Sequence, residues 1–302
     1  MSCGDGKSRR TFLKMAAGTA GLAATGCGSD ALKSFMKTHL REMTRGELSK
    51  YLAGLEQGYE KQYGREVEVR ATPAREGVLF GYGLDLSRCN GNRMCVAACV
   101  EENNQSRDDP DGEHTNPIEW INVLEMEQEH GIEFSHADSY YNPKTVPEEG
   151  KFYVPVQCQQ CRNPACVKVC PTKATWQERD GIVVIDYDWC IGCRCCMSAC
   201  PYGARSFNWC DPHLPSEDVN PNMHVLGNRP RQRGVVEKCT FCIQRTRAGR
   251  YPACLEACPT GARKFGNLLD PESEIRKLLE QKRVFVLKEE LNTQPKFFYF
   301  YG

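Results

Sequence analysis

Residues 190–201 read Cys190-Ile191-Gly192-Cys193-Arg194-Cys195-Cys196-Met197-Ser198-Ala199-Cys200-Pro201. The thiols at Cys190, Cys193, Cys196 and Cys200 have the spacing of an iron–sulfur run, in which three cysteines bind one cluster and the fourth ligates a neighbouring cluster. Such a run implies a second one. Outward from it lie three further groups: Cys158, Cys161, Cys166 and Cys170-Pro171 before it, Cys239, Cys242, Cys254 and Cys258-Pro259 after it, and Cys89, Cys95 and Cys99 nearer the start. The segments around Cys166–Cys170, Cys196–Cys200 and Cys254–Cys258 are variants of one unit, which points to a duplicated fold.

Nineteen cysteines in one chain invite a disulfide or zinc reading. Against disulfides stand the odd number, the tetrad spacing and the Cys-Pro that closes three of the groups. A zinc ribbon explains isolated C-x2-C pairs but not the C-x3-C-Pro that follows them. The organic core is modest: mean hydropathy is −0.55, with 12 Phe, 12 Tyr and 4 Trp. Lys+Arg and Asp+Glu balance at 39 each, and with no basic run nucleic acid is not expected as a partner. Thiolate-bound clusters would add negative charge to that balance. Lys168, Lys173, Arg194, Arg205, Arg245, Arg263 and Lys264 stand beside the candidate ligands, either to offset it or as a solvated rim.

Residues 8–14, Ser-Arg-Arg-Thr-Phe-Leu-Lys, followed by an Ala/Gly-rich stretch, have the pattern of a twin-arginine export signal. That stretch is too short and too weakly apolar to span a membrane. Ala24-Thr25-Gly26-Cys27 leaves two outcomes open, ordinary cleavage or a lipidated Cys27. Residues 31–63 are expected to be helical, with a capping box at Thr44–Glu47 and apolar residues at Leu48, Tyr51, Leu52, Leu55 and Tyr59. This helical segment is either a docking stalk or a helix packed on its own domain. Strands are expected at Trp120–Met126, Phe152–Val156, Ile182–Tyr187 and 283–288. The aromatic tail Phe297–Tyr301 is read as surface packing or a partner contact. The six histidines form no metal set, and no haem-attachment motif or dinucleotide-binding glycine loop occurs.

The stretches Cys190–Arg205, Gly234-Val-Val-Glu-Lys-Cys-Thr-Phe-Cys242 and Phe285-Val-Leu-Lys-Glu-Glu-Leu-Asn-Thr-Gln-Pro295 resemble the four-cluster iron–sulfur (beta) subunits of molybdopterin oxidoreductase complexes. Dimethyl sulfoxide, polysulfide and tetrathionate reductases contain such subunits. The resemblance runs from about residue 82 to residue 301 and does not cover 28–75. It implies an α+β fold of two nested ferredoxin-like modules with loop insertions and an N-terminal helical extension. In this division residues 1–27 are the signal, 28–75 the extension and 76–302 the four-cluster domain. The outer module takes about 76–110 and 234–270, and the inner about 151–210. The implied ligand sets are Cys158, Cys161, Cys166 with Cys200; Cys190, Cys193, Cys196 with Cys170; Cys239, Cys242, Cys254 with Cys99; and Cys89, Cys95 with Cys258.

The chain departs from the family pattern at Asn92, where a fourth ligand is expected. A three-iron cluster is the leading expectation there; a four-iron cluster with an oxygen or another side-chain ligand is the alternative. Cys195 and Cys210 are surplus to the tetrads and are read as buried structural thiols. The resemblance implies three [4Fe–4S] clusters plus one [3Fe–4S] or [4Fe–4S], and a non-catalytic electron relay on the periplasmic face of the cytoplasmic membrane. Its expected partners are an integral membrane quinone-reactive subunit and a molybdopterin catalytic subunit or multihaem cytochrome. Rival readings are a reductase with its own substrate site, a hydrogenase or quinol-oxidising subunit, and a stapled lipoprotein.

Overall fold

The computed structural model describes residues 40–109 and 116–302. The twin-arginine stretch, Cys3, Cys27 and the start of the expected N-terminal helix lie outside them. The described residues form a mixed α and β structure with a four-stranded sheet, four two-stranded pairings and two pairs of short helices, one of which packs on the sheet through Ala253–Glu256.

In that sheet Phe80–Asp85 pairs antiparallel with Arg263–Asn267 and parallel with Phe297–Phe300, which in turn pairs with Val284–Phe285. Every residue of Phe80–Asp85 is buried. A Cβ at Gly81 would meet Leu268 at 2.7 Å, and one at Gly83 would meet Ile275 at 3.0 Å. The missing side chains thus let Leu268 and helix Glu274–Gln281 lie directly on the strand. Aromatic rings fill the other layer, with Tyr82 stacked on Phe297 at 4.8 Å and Phe241 edge-on to Phe265. The tail Phe297–Phe300 is therefore a buried sheet strand and not surface packing. The strand expected over 283–288 is shorter, Val284–Phe285, and ends before Lys288, whose backbone is left-handed.

The short helices follow the cysteine runs. Met94–Glu102, which carries Cys95 and Cys99 of the first run, packs on Ala253–Glu256 of the fourth. Ala165–Lys168 of the second packs on Cys195–Ser198 of the third. Around the second pair, Thr175–Gln177 and Val183–Ile185 form a hairpin, and Ser206–Phe207 pairs with Val236–Glu237. The polar insertion contributes Asn122–Glu127, antiparallel to Lys151–Val156.

Helix Arg45–Tyr63 starts at Thr44 with a full capping box to Glu47 and stops at left-handed Gly64. Tyr51, Leu52, Leu55 and Tyr59 pack on the main core, and the Tyr59 hydroxyl donates to the Pro230 carbonyl at 3.1 Å. The helix lies against its own chain rather than standing off as a stalk. Downstream, Glu68–Arg70 pairs in parallel with Asn222–His224 of the Pro-rich connection.

Candidate iron–sulfur sites

The loops that carry the thiols share a backbone device. In Cys89–Cys95, Gly91 and Arg93 have positive φ; in Cys190–Cys196, Gly192 and Arg194 do; in Cys239–Cys242, Phe241 and Cys242 do. In the first two loops the alternating backbone hands turn successive N–H groups towards one concavity, which suits an anionic sulfur centre.

Cys158, Cys161, Cys166 and Cys200 line one small cavity, together with Val183, Thr293 and Arg205. Cys170, Cys190, Cys193 and Cys196 line a second, which Arg205 also lines. In each, three thiols come from one run and one from its partner run. Cys89, Cys95 and Cys258 line a third with Asn92 and Arg263. The four remaining thiols, Cys99, Cys239, Cys242 and Cys254, are all buried. Burial first, then the neighbouring Cys242, Cys239 and Cys254, push Cys99 well above the usual thiol range.

Hydrogen-bond donors converge on these sulfurs. Gln105 Nε2 donates to Cys99 Sγ at 3.2 Å, and Asn103 Nδ2 reaches Cys99 and Cys242, each at 3.6 Å. The Phe241 N–H points at Cys239 Sγ (3.4 Å), and the Tyr82 hydroxyl lies 3.3 Å from Cys254 Sγ. Arg263 Nη2 donates to Cys95 Sγ at 3.2 Å. At Cys258, burial opposes the thiolate, but the Thr260 hydroxyl and the Ala262 and Thr260 N–H groups outweigh it and bring the thiol below its usual value. Burial raises Cys89 to about 11 and Cys161 and Cys242 to about 12. Ligation would reverse that preference, because bound iron favours the deprotonated thiol.

The donor set fits iron–sulfur clusters better than single ions. Among the described residues no three His, Cys, Asp or Glu side chains converge as one metal ion requires. Zinc would draw four sulfurs to about 2.3 Å from one centre, whereas a cluster spreads its ligands over several irons. The Nη1 of buried Arg205, beside two of the cavities, has no hydrogen-bond partner among the described residues, as suits a donor aimed at sulfur.

The cations next to the ligands divide into two kinds. Arg205 and Arg263 are buried beside thiols. Lys168 and Lys173 are exposed, Lys264 pairs with Glu274, and Arg245 pairs with Glu102 and Glu256. Arg194 lies over the Trp209 ring at 4.5 Å. Lys238 and Lys296 are buried as deeply as any residue and carried no signal beyond Lys238 preceding Cys239. Cys195 is exposed, not a buried structural thiol, because it opens helix Cys195–Ser198 on the outer side; Cys210 is buried but disulfide-bonded, and so is no free thiol. His130 and His136 stack on each other near Glu127 and Glu133, at the surface.

A cavity of about 1060 Å³ lies beside helix Met94–Glu102, and no cysteine lines it. Its charged groups pair among themselves, Arg93 with Glu119, Arg107 with Asp218 and Arg245 with Glu102.

Residues 150–214 and 225–268 match the 4Fe-4S dicluster domain family. The chain is 42% identical over 219 residues to the Hdr-like menaquinol oxidoreductase iron–sulfur subunit 1 of Archaeoglobus fulgidus, covering 68% of this chain and 71% of that one. It is 37% identical to the menaquinone reductase iron–sulfur cluster-binding subunit of Nitratidesulfovibrio vulgaris, over 74% of this chain and 88% of the relative. The arsenate respiratory reductase iron–sulfur subunit of a Shewanella species is 35% identical, over 73% of this chain and 95% of the relative. No helix among the described residues is long and apolar enough to cross a membrane. Ferredoxin-like dicluster architecture and shared sequence together make this chain a member of the family of iron–sulfur electron-transfer subunits, non-catalytic components of respiratory oxidoreductase complexes.

Proposed function

We propose that the chain holds four clusters in two nested modules and relays single electrons between a membrane quinone-reactive subunit and a periplasmic molybdopterin or cytochrome partner. The inner module, about 151–210, takes Cys158, Cys161, Cys166 and Cys200 at one site and Cys190, Cys193, Cys196 and Cys170 at its neighbour. The outer module, about 76–110 with 234–270, takes Cys239, Cys242, Cys254 and Cys99, then Cys89, Cys95 and Cys258. The observation that carries this reading is the exchange of the fourth thiol: Cys200 lines the cavity of the second run, and Cys170 that of the third. The packing of Met94–Glu102 on Ala253–Glu256 supports the same exchange in the outer module.

Bound clusters supply one-electron redox chemistry; the chain supplies thiolates, sulfur hydrogen bonds and exclusion of water. Three of these clusters are [4Fe–4S], and the Asn92 site is [3Fe–4S]. Asn92 lines that cavity, but its Oδ1 already accepts the Met94 N–H at 3.0 Å, which leaves the site three thiols.

A quinone-linked complex is favoured by relatives named for menaquinol and menaquinone. Exposed apolar side chains beside the third run, Ile191 and Trp209, support a partner covering that end. Export by the twin-arginine route to the periplasmic face, with or without a lipid on Cys27, accords with the sequence of residues 8–27. The test is anaerobic affinity purification from native membranes in mild detergent, with iron and sulfide analysis. About 15 irons per chain and a co-purifying multispanning subunit are expected. A colourless, iron-free, solitary protein would end the reading.

A further inference from the structure

Four buried cations lie among the thiols, and three of them stand between sites. Arg263 donates through Nη2 to Cys95 Sγ at 3.2 Å. Its Nη1 reaches the Tyr82 hydroxyl at 3.4 Å, and that hydroxyl lies 3.3 Å from Cys254 Sγ. One guanidinium therefore touches the Asn92 site and, through a single phenol, the Cys239 site. Lys238 Nζ donates to the Cys239 carbonyl at 2.8 Å and to the carbonyl of Val183, a residue that lines the Cys158 cavity. Arg205 lines both the Cys158 and the Cys190 cavities. Its Nη2 donates to Thr175 Oγ1 at 3.2 Å, and its Nη1 has no hydrogen-bond partner among the described residues. None of the three is paired with a carboxylate by a salt bridge among the described residues. All three are nearly inaccessible, at 3%, 1% and 4% exposure for Arg263, Lys238 and Arg205. The fourth, Lys296, is 0% exposed and donates to the Gly181 carbonyl on the hairpin behind the Cys158 site, so it flanks one site rather than a gap.

A buried charge is destabilising unless something compensates it. Among the described residues the three have no carboxylate partner, and candidate sulfur ligands lie beside Arg263 and Arg205. The sequence of contacts also sets an order: Asn92 site, Arg263, Cys239 site, Lys238, Cys158 site, Arg205, Cys190 site. Building on the four-site reading above, we propose that Arg263, Lys238 and Arg205 form a file of buried cations, one per gap, that raises the reduction potentials of the centres on both sides of each gap. Reduction adds one negative charge to a centre without making or breaking a covalent bond, so an adjacent fixed cation favours the reduced form. A shared cation also lessens the repulsion between electrons held on neighbouring centres. At an effective dielectric of about 20 and a separation of about 10 Å, one unit charge alters the reduction equilibrium roughly tenfold.

The experiment is a potentiometric titration of the anaerobically purified full chain, reduced with dithionite and read by electron paramagnetic resonance. Wild type is measured against Arg205→Met, Lys238→Met, Arg263→Met and the charge-keeping exchanges Arg205→Lys, Lys238→Arg and Arg263→Lys. Iron content is measured on every sample, so that failure of the four-site reading appears as missing iron in wild type, independent of any potential. Each Met variant is expected to lower the potentials of two centres by about 59 mV, the equivalent of tenfold for a one-electron couple. Each charge-keeping exchange is expected to restore most of that shift, and Lys296→Met to move one centre only. Loaded Met variants with unmoved potentials, or exchanges that fail to restore them, would overturn the proposal. If every Met variant lost its iron while the exchanges loaded fully, Arg205→Gln, Lys238→Gln and Arg263→Gln would be titrated in their place. Loss of iron from those as well would assign the cations to assembly and overturn a role in setting potentials.

Discussion

Asn92 sits at a cavity wall with its amide oxygen already committed to the Met94 N–H, so its influence on the first site comes through the group it lacks. On the proposed three-iron reading, Asn92→Cys is expected to convert that centre to a four-iron one and to abolish the three-iron paramagnetic signal of the air-oxidised protein. The exchange gives up one turn hydrogen bond, about 1 kcal/mol. A second residue-scale prediction concerns His224, 1% exposed, with the Leu226 N–H at 3.1 Å from Nδ1 and the Thr72 N–H at 3.0 Å from Nε2. Burial, then the Arg247 charge, push its pKa from 6.5 down to about 3. Above pH 6.5 the ring is neutral in both folded and unfolded chains. As pH falls from there towards 3, the unfolded chain takes up the proton and the folded chain does not. Stability should fall through that window by up to about 1.4 kcal/mol per pH unit. Denaturation midpoints of His224→Gln against wild type check this, the variant giving the flatter profile. The thiols themselves were legible from spacing, because the chemistry fixes their separation along the chain. Tyr82 and Lys238 were not, because the sulfur or site each serves is reached only through tertiary folding; Asn103 and Gln105 serve Cys99 from close by in sequence, but as side-chain amides outside the cysteine spacing.

Most elements here are too short to announce themselves by period. Helices such as Cys195–Ser198 span four residues, and strands such as Ser206–Phe207 span two. Phe80–Asp85 is buried on both faces and carries two glycines, so it lacks the alternation that marks a half-exposed strand. By contrast, helix Arg45–Tyr63 was readable from Thr44 and Glu47, whose capping interactions are local. The loops that end at these short helices are set by glycine. Gly192 has φ +69°, and a Cβ there would lie 2.2 Å from the Gly234 carbonyl oxygen. Its role is thus this backbone contact as well as the turn around the sulfurs. Gly203 has φ +61° with nothing within 4 Å of such a Cβ. Gly203→Ala is expected to cost about 1 kcal/mol of left-handed strain. Gly192→Ala should cost at least about 2–3 kcal/mol, since the clash adds to the strain. Thermal inactivation and iron retention of the two variants side by side read the difference, iron loss being expected for Gly192→Ala.

At the scale of the whole molecule, buried ion pairs tie the segments that carry the two helix pairs. Arg247, next to helix Ile243–Thr246, donates through Nε to Asp180 at 2.8 Å, with side-chain exposures of 2% and 0%. Asp180 belongs to the turn between Thr175–Gln177 and Val183–Ile185, so the pair joins the fourth run to the hairpin of the second. Arg247→Gln leaves Asp180 uncompensated and is expected to destabilise the protein by about 3–5 kcal/mol. Denaturant unfolding under anaerobic conditions measures it, and a change under about 1 kcal/mol would remove the pair from this role. The sheet has a consequence in time. Phe297–Phe300 lies between Phe80–Asp85 and Val284–Phe285, far C-terminal to every candidate ligand. A nascent chain therefore presents Cys158–Cys200 while its ribosome is still translating the segments that complete the sheet. Cys89, Cys95 and Cys99 meanwhile wait for thiols that emerge more than a hundred residues later. On the proposed ligand sets, iron delivery would have a schedule: the middle of the polypeptide could be loaded during synthesis, and the Cys89 and Cys239 sites only once Cys258 and the strand Phe297–Phe300 have emerged.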